Sequence, residues 1–229
     1  MKTFKLHFIR HGWTEANLKG IFYGSTDIPL CSDSIYELED MYESWDYPYA
    51  DWVFSSPLQR ATETAKILYP NSDIVEIENL REISFGEFEG KTLEDAKGDE
   101  LLARFAAGDP NAIPKGAEDP NDFMVRCRNA VISIINLMMT NKVYSAAIVT
   151  HMSVIGQILS SMAYPKAAPY EWKPNPGFGY TILVDPSIFL REPIFEVIET
   201  IPIGYTRNEY SGFSRWYEED DFDDERYEE

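Results

Sequence analysis

Cysteine is scarce in this chain. Cys31 and Cys127 are far apart, with no C-x-x-C pair and no zinc-type ligand spacing. This excludes a disulfide framework and fits a reducing, cytoplasmic setting. Cys127 falls on the apolar stripe of a predicted helix, which makes it a buried free thiol. Long apolar runs are also missing. No stretch approaches the ~20 residues of a membrane span, and Lys2, Lys5 and Arg10 break up any leader-like apolar core, so no secretory leader is expected. Positive charge is in short supply as well. Twenty basic residues face thirty-nine acidic ones, a net −19, which argues against nucleic acid and anionic membranes as partners. Much of the excess is local. Residues 218–229 carry −8, leaving −11 for the rest; that tail is too charged to pack and is expected to be disordered.

The remainder has what a core requires. Hydrophobic residues make up 44% of 229 residues, enough for one large domain over 1–217. Strand-like and helix-like segments alternate, which predicts an α/β fold: a three-layer α/β/α sandwich around a mostly parallel sheet. Strands are expected at 3–9, 51–54, 74–77, 143–149, 178–184 and 194–200. Helices are expected at 33–45, from Ser56 onward, at 119 onward and at 152–162. Ser56 reads as an N-cap with Pro57 at the first helical position and Gln59 completing a capping box. Asp119 with Pro120 reads the same way. The Gly-, Pro- and charge-rich segment 85–118 reads as a lid-like insertion with short helices around 92–107.

Chemistry concentrates where strands end. Arg10-His11-Gly12 follows the apolar run Phe4–Ile9, and ligands of open α/β sheets collect outside the carboxyl ends of strands. A histidine there can act as a nucleophile, and an arginine can hold phosphate oxygens in a planar fork. Further downstream stand Ser55-Ser56-Pro57-Leu58-Gln59-Arg60-Ala61, Leu80-Arg81-Glu82 with Phe85-Gly86-Glu87-Phe88-Glu89-Gly90, and Val149-Thr150-His151. Arg60 lies one turn inside a helix N-terminus, where the backbone dipole favours an anion. His7 lies within the first strand and reads as a packed histidine. Trp13, Phe22, Tyr23, Phe85 and Phe88 suit either a leaving-group pocket or ordinary packing.

These four segments, in this order, resemble the histidine phosphatase superfamily in its phosphoglycerate mutase-like branch, over about residues 3–162. Gly24-Ser25-Thr26-Asp27-Ile28-Pro29-Leu30 and Gly116-Ala117-Glu118 are similar to further family segments. The resemblance implies a phosphoglycerate mutase-like fold and a phosphatase acting on a small phosphorylated metabolite, without metal or cofactor. His11 would be the nucleophile, and Glu82 the acid and base, with Glu87 and Glu89 as alternatives. Arg10, Arg60 and His151 would hold the phosphoryl oxygens. Asn17, Gly24 and Thr150 complete the implied phosphate- or substrate-contacting set. Phosphorylated sugars, glycerate phosphates and α-ribazole 5′-phosphate are the family's candidate substrates. Ser34, Met152 and Ser153 stand where the family usually has glycines.

Two other functions are weighed. A phosphoglycerate mutase would need more basic residues for a second anionic group than Lys91, Lys97, Arg104 and Lys115. A silent phosphate-binding scaffold would not require the whole set of five polar side chains. A homodimer is the default assembly for a soluble oligomer, though no interface is legible.

Overall fold

The computed structural model describes residues 2–204 apart from 93, 96, 107, 108 and 110. The acidic 218–229 tail therefore lies outside the described residues. In chain order the elements are β1 (Phe4–Arg10), α1 (Glu15–Leu18), α2 (Ser32–Ser44), β2 (Trp52–Ser55), α3 (Gln59–Leu68), β3 (Ile74–Glu76), α4 (Glu100–Ala106), α5 (Pro120–Asn141), β4 (Ser145–Thr150), α6 (Met152–Met162), β5 (Ala163–Tyr164), β6 (Gly179–Val184), α7 (Pro186–Phe189) and β7 (Phe195–Ile201).

The strands form one sheet in the order β3-β2-β4-β1-β6-β7-β5. β3, β2, β4 and β1 run parallel, while β6 lies antiparallel to both β1 and β7. The sheet is mixed but mostly parallel, as expected. Side-chain alternation along each strand sends neighbours to opposite faces. Leu6, Phe8, Phe54, Ala146 and Ile148 join one core with the buried stripes of α5 and α6. Ile9, Val53, Ala147 and Val149 join the other with α2 and α3. Each fully buried Leu, Ile or Phe contributes roughly 1.5–3 kcal/mol. Cys127 belongs to the first core, where burial pushes its thiol up to about 12. Among the described residues no helix is long and apolar enough to cross a membrane.

Several expected boundaries move. α3 starts at Gln59 with Leu58 in the N-cap position, so Ser56 is not the cap. Its hydroxyl is drawn to His151 Nε2, 2.7 Å away, and the Gln59 N–H instead donates to Asp27 Oδ1 at 2.7 Å. A carboxylate 32 residues upstream does the capping. β4 begins at Ser145 rather than 143, because the Val143 N–H closes the end of α5 on the Met138 carbonyl. α5 is capped by Asp119 as the sequence indicates, through Asn121 N–H. His7 is a packed histidine. Thr181 Oγ1 and Ser145 Oγ each lie 3.0 Å from a ring nitrogen.

Candidate active site

Three parallel neighbours, β2, β4 and β1, end on the same edge of the sheet. The ladder continues one step past the strands: His11 N–H donates to the Thr150 carbonyl and Ser56 N–H to the Val149 carbonyl, each at 2.9 Å. This sets His11 beside His151, with ring centroids 5.1 Å apart and planes tilted by 60°. Both rings are buried.

Local packing fixes the first histidine. Its Nδ1 lies 2.6 Å from the Gly12 carbonyl oxygen. That nitrogen must carry the proton, which leaves Nε2 with the lone pair. Among the described residues Nε2 has no hydrogen-bond partner. Burial above all, with the Arg60 and Arg10 charges adding to it, holds the imidazole well below its ordinary pKa of 6.5. The ring is therefore neutral at pH 7. Gly12 itself is held by its N–H on Thr64 Oγ1, whose hydroxyl donates to the Arg60 carbonyl. A Cβ at position 12 would meet Ser34 Oγ at 2.5 Å and Leu38 Cδ1 at 2.7 Å.

Arg60 has no exposed surface. Its Nη1 donates to the Thr26 carbonyl at 2.9 Å and its Nη2 to the Gly24 carbonyl at 2.7 Å, while the guanidinium lies over the Tyr23 ring. Its buried Nε has no partner among the described residues, and neither has the buried His151 Nδ1. A dry cation and two donor-capable nitrogens without acceptors suit an anion. Gly24 earns its place twice: it supplies a carbonyl to Arg60, and a Cβ there would sit 1.7 Å from the Ile83 carbonyl oxygen. Arg10 donates through Nη1 to the Pro174 carbonyl at 3.0 Å.

Glu82 is buried and feels the Arg60 charge. Burial raises its pKa, opposed by the Ile83 and Ser153 N–H groups and by Arg60. Ile83 N–H reaches Oε1 at 2.9 Å and Ser153 N–H reaches Oε2 at 3.2 Å. Ser153 thus holds the carboxyl group through its backbone N–H. The other two acids are placed differently. Glu87 is exposed and accepts from Lys115 N–H. Glu89 accepts from the N–H and hydroxyl of both Ser25 and Thr26 and from Phe85 N–H. Burial raises its pKa, but these hydrogen bonds outweigh that and keep it ionised.

Asn17 turns its side-chain oxygen toward Thr14 and the Tyr23 hydroxyl, the latter at 2.6 Å, which leaves its NH₂ as the available edge. The Thr150 hydroxyl points elsewhere, donating to the Leu80 carbonyl at 2.8 Å, so Thr150 serves the site through its backbone. Phe22 and Phe85 contact each other and Phe85 contacts Phe105, all packed on the core, which favours the packing reading. Arg126 is absent from the expected set. It forms a two-point pair with Glu118 and donates to the carbonyls of Asn79, Arg81 and Glu82, fixing the segment that carries the acid. One of two arginines on a long helix gives no sequence signal of such a role.

Fold and site together define an α/β domain with a neutral histidine and a dry arginine at the carboxyl edge of its sheet. The family model of the histidine phosphatase superfamily (branch 1) matches residues 6–183, and the chain belongs to that family. An adenosylcobalamin/alpha-ribazole phosphatase of Salmonella typhimurium is 28% identical over 171 residues, covering 72% of this chain and 82% of the relative. Among solved structures, a mycobacterial glucosyl-3-phosphoglycerate phosphatase superposes with a TM-score of 0.72 at 20% identity, covering 86% of this chain and 97% of that one. A phosphoglycerate mutase from Bacillus anthracis does so at 0.70 and 21% identity, covering 86% and 92%. Phosphatases and a mutase share this fold, so function has to be argued from the site.

Proposed function

We propose that the chain is a metal-independent phosphatase that hydrolyses a small-molecule phosphomonoester through a phosphohistidine. The observation that carries this reading is the Gly12 carbonyl on His11 Nδ1, which leaves a neutral ring with its lone pair on Nε2. Nε2 attacks phosphorus, and the P–O bond to the leaving alcohol breaks. Phosphoryl transfer asks mainly for positioning and charge stabilisation. Arg60, Arg10 and His151 supply the donors around the oxygens. Glu82, whose pKa burial raises, acts in its protonated form and gives its proton to the leaving oxygen. The resulting carboxylate then takes a proton from water, whose oxygen attacks the phosphohistidine. Phosphate leaves, and His11 and Glu82 return to their starting states.

Hydrolysis is favoured over mutase chemistry because the basic residues of 91–115 are largely engaged in their own loop. Arg104 pairs with Asp109, Lys97 with Glu94, and Lys91 lies over Phe88. The test is p-nitrophenyl phosphate hydrolysis in EDTA by the native chain and His11→Ala. Turnover that survives EDTA and is lost in the variant supports the proposal. Turnover by phosphoglycerates alone, with isomerisation, would replace it by the mutase reading. Phosphate binding without turnover of any ester would leave the scaffold reading. The name of the Salmonella relative puts an α-ribazole phosphate ester first among metabolites to assay.

A further inference from the structure

The Ser56 hydroxyl is buried and has two neighbours among the described residues. Leu58 N–H donates to its Oγ at 3.3 Å, and His151 Nε2 lies 2.7 Å away. A hydroxyl has one proton to give. Leu58 N–H is itself a donor, so His151 Nε2 is the one acceptor that proton can reach. If Nε2 carried hydrogen, the serine proton would be stranded in the interior, and buried polar groups are seldom left so. The other ring nitrogen, Nδ1, is buried and has no partner among the described residues, and the same holds for Nε of Arg60, whose charge acts on this ring.

We infer that Ser56 is a positioning residue: its hydroxyl donates to His151 Nε2 and thereby locks the ring as the Nδ1–H tautomer, so that a second donor meets the phosphoryl oxygens. The inference rests on the phosphatase reading for its purpose, but not for its geometry. The two histidines are then set by opposite partners. A carbonyl makes His11 Nδ1 a donor and frees Nε2 as a nucleophile, whereas a hydroxyl makes His151 Nε2 an acceptor and frees Nδ1 as a donor. In the other tautomer, a lone pair at Nδ1 would face an incoming anion and repel it.

The test is nitrogen NMR of the full chain labelled at histidine, readable because the sequence holds only three histidines. The expected spectrum has a protonated Nδ1 and a pyridine-like Nε2 for His151. Ser56→Ala is expected to populate the Nε2–H form and to weaken orthophosphate binding on the order of tenfold, with a matching fall in kcat/KM. Ser56→Thr, which keeps the hydroxyl, is expected to restore the native tautomer. A native spectrum showing Nε2–H overturns the inference, as does a Ser56→Ala protein with unchanged tautomer and unchanged phosphate affinity. The expected tautomer and phosphate binding in a chain that hydrolyses no ester would support the inference while defeating the phosphatase reading.

Discussion

Glu89 and Ser25 are joined twice across 64 residues of sequence: the backbone N–H and the hydroxyl of Ser25 both donate to Oε1, at 3.0 and 2.9 Å. The same carboxylate takes Thr26, and so fixes the turn whose Gly24 and Thr26 carbonyls hold Arg60. Glu89→Ala should loosen this grip without removing any group that touches phosphate. The expected outcome is weaker competitive inhibition by orthophosphate, by roughly tenfold, and a loss of roughly 1–3 kcal/mol in stability for the donors left unpaired. Inhibition assays and urea melts check the two effects separately.

Glu82→Gln removes both the proton donor and the later base. With an alkyl phosphate, kcat should fall by ~10²–10⁴. With p-nitrophenyl phosphate, whose leaving group needs little protonation, the first step should survive and phosphoenzyme should accumulate, giving a burst of nitrophenol. The pH profile follows from the same groups. Native kcat/KM on alkyl phosphates should decline on the alkaline side as Glu82, raised above 4.5, ionises. On the acid side it should hold to well below 6.5, where His11 would gain a proton. Loss of the alkaline limb in Glu82→Gln is the check.

His7 makes stability depend on pH. Burial, aided by the Lys5 charge, lowers its pKa from 6.5 to about 4. Between these values the unfolded chain binds a proton that the folded chain refuses. Stability is therefore complete above 6.5 and lost as pH falls toward 4, by on the order of 3 kcal/mol for this group. Chemical denaturation at a series of pH values should show this slope, and His7→Gln should flatten it.

Gly12→Ala should destabilise the fold by roughly 1–3 kcal/mol, because the added methyl overlaps Ser34 Oγ and Leu38 Cδ1. Adding Ser34→Ala removes one of the two clashes and should recover part of the loss. Additivity in thermal melts of the four proteins would show that the two side chains do not meet.

The periodic segments were legible in the sequence. Met152–Met162 comes out at its expected bounds, and the buried stripe of α5 is as the spacing indicates. What the sequence concealed depends on contacts between distant residues. Ser56 carries the local grammar of an N-cap, yet a histidine 95 residues away takes its hydroxyl and Asp27 takes over the helix end. β5 is two residues long, too short for any period to register. His11 and His151 meet because their motifs sit at the ends of neighbouring parallel strands, which share an edge. Thr64 and Arg126 gave no such signal, since each acts on a backbone group that no motif names, whereas Ser153 stood out as a departure after the second histidine and acts through its N–H.

The alternation along β1 and β4 has one more consequence. Sliding either strand by a single residue would carry Phe8 and Ile148 into the layer built for Ile9 and Val149, and the reverse. Both hydrophobic layers would be misfilled at once, so a misaligned sheet has no stable form to settle into. The spacing of the two imidazoles is thus as exact as the fit of the oil-filled layers beneath them, and a mutation that softens those layers reaches the chemistry without touching it.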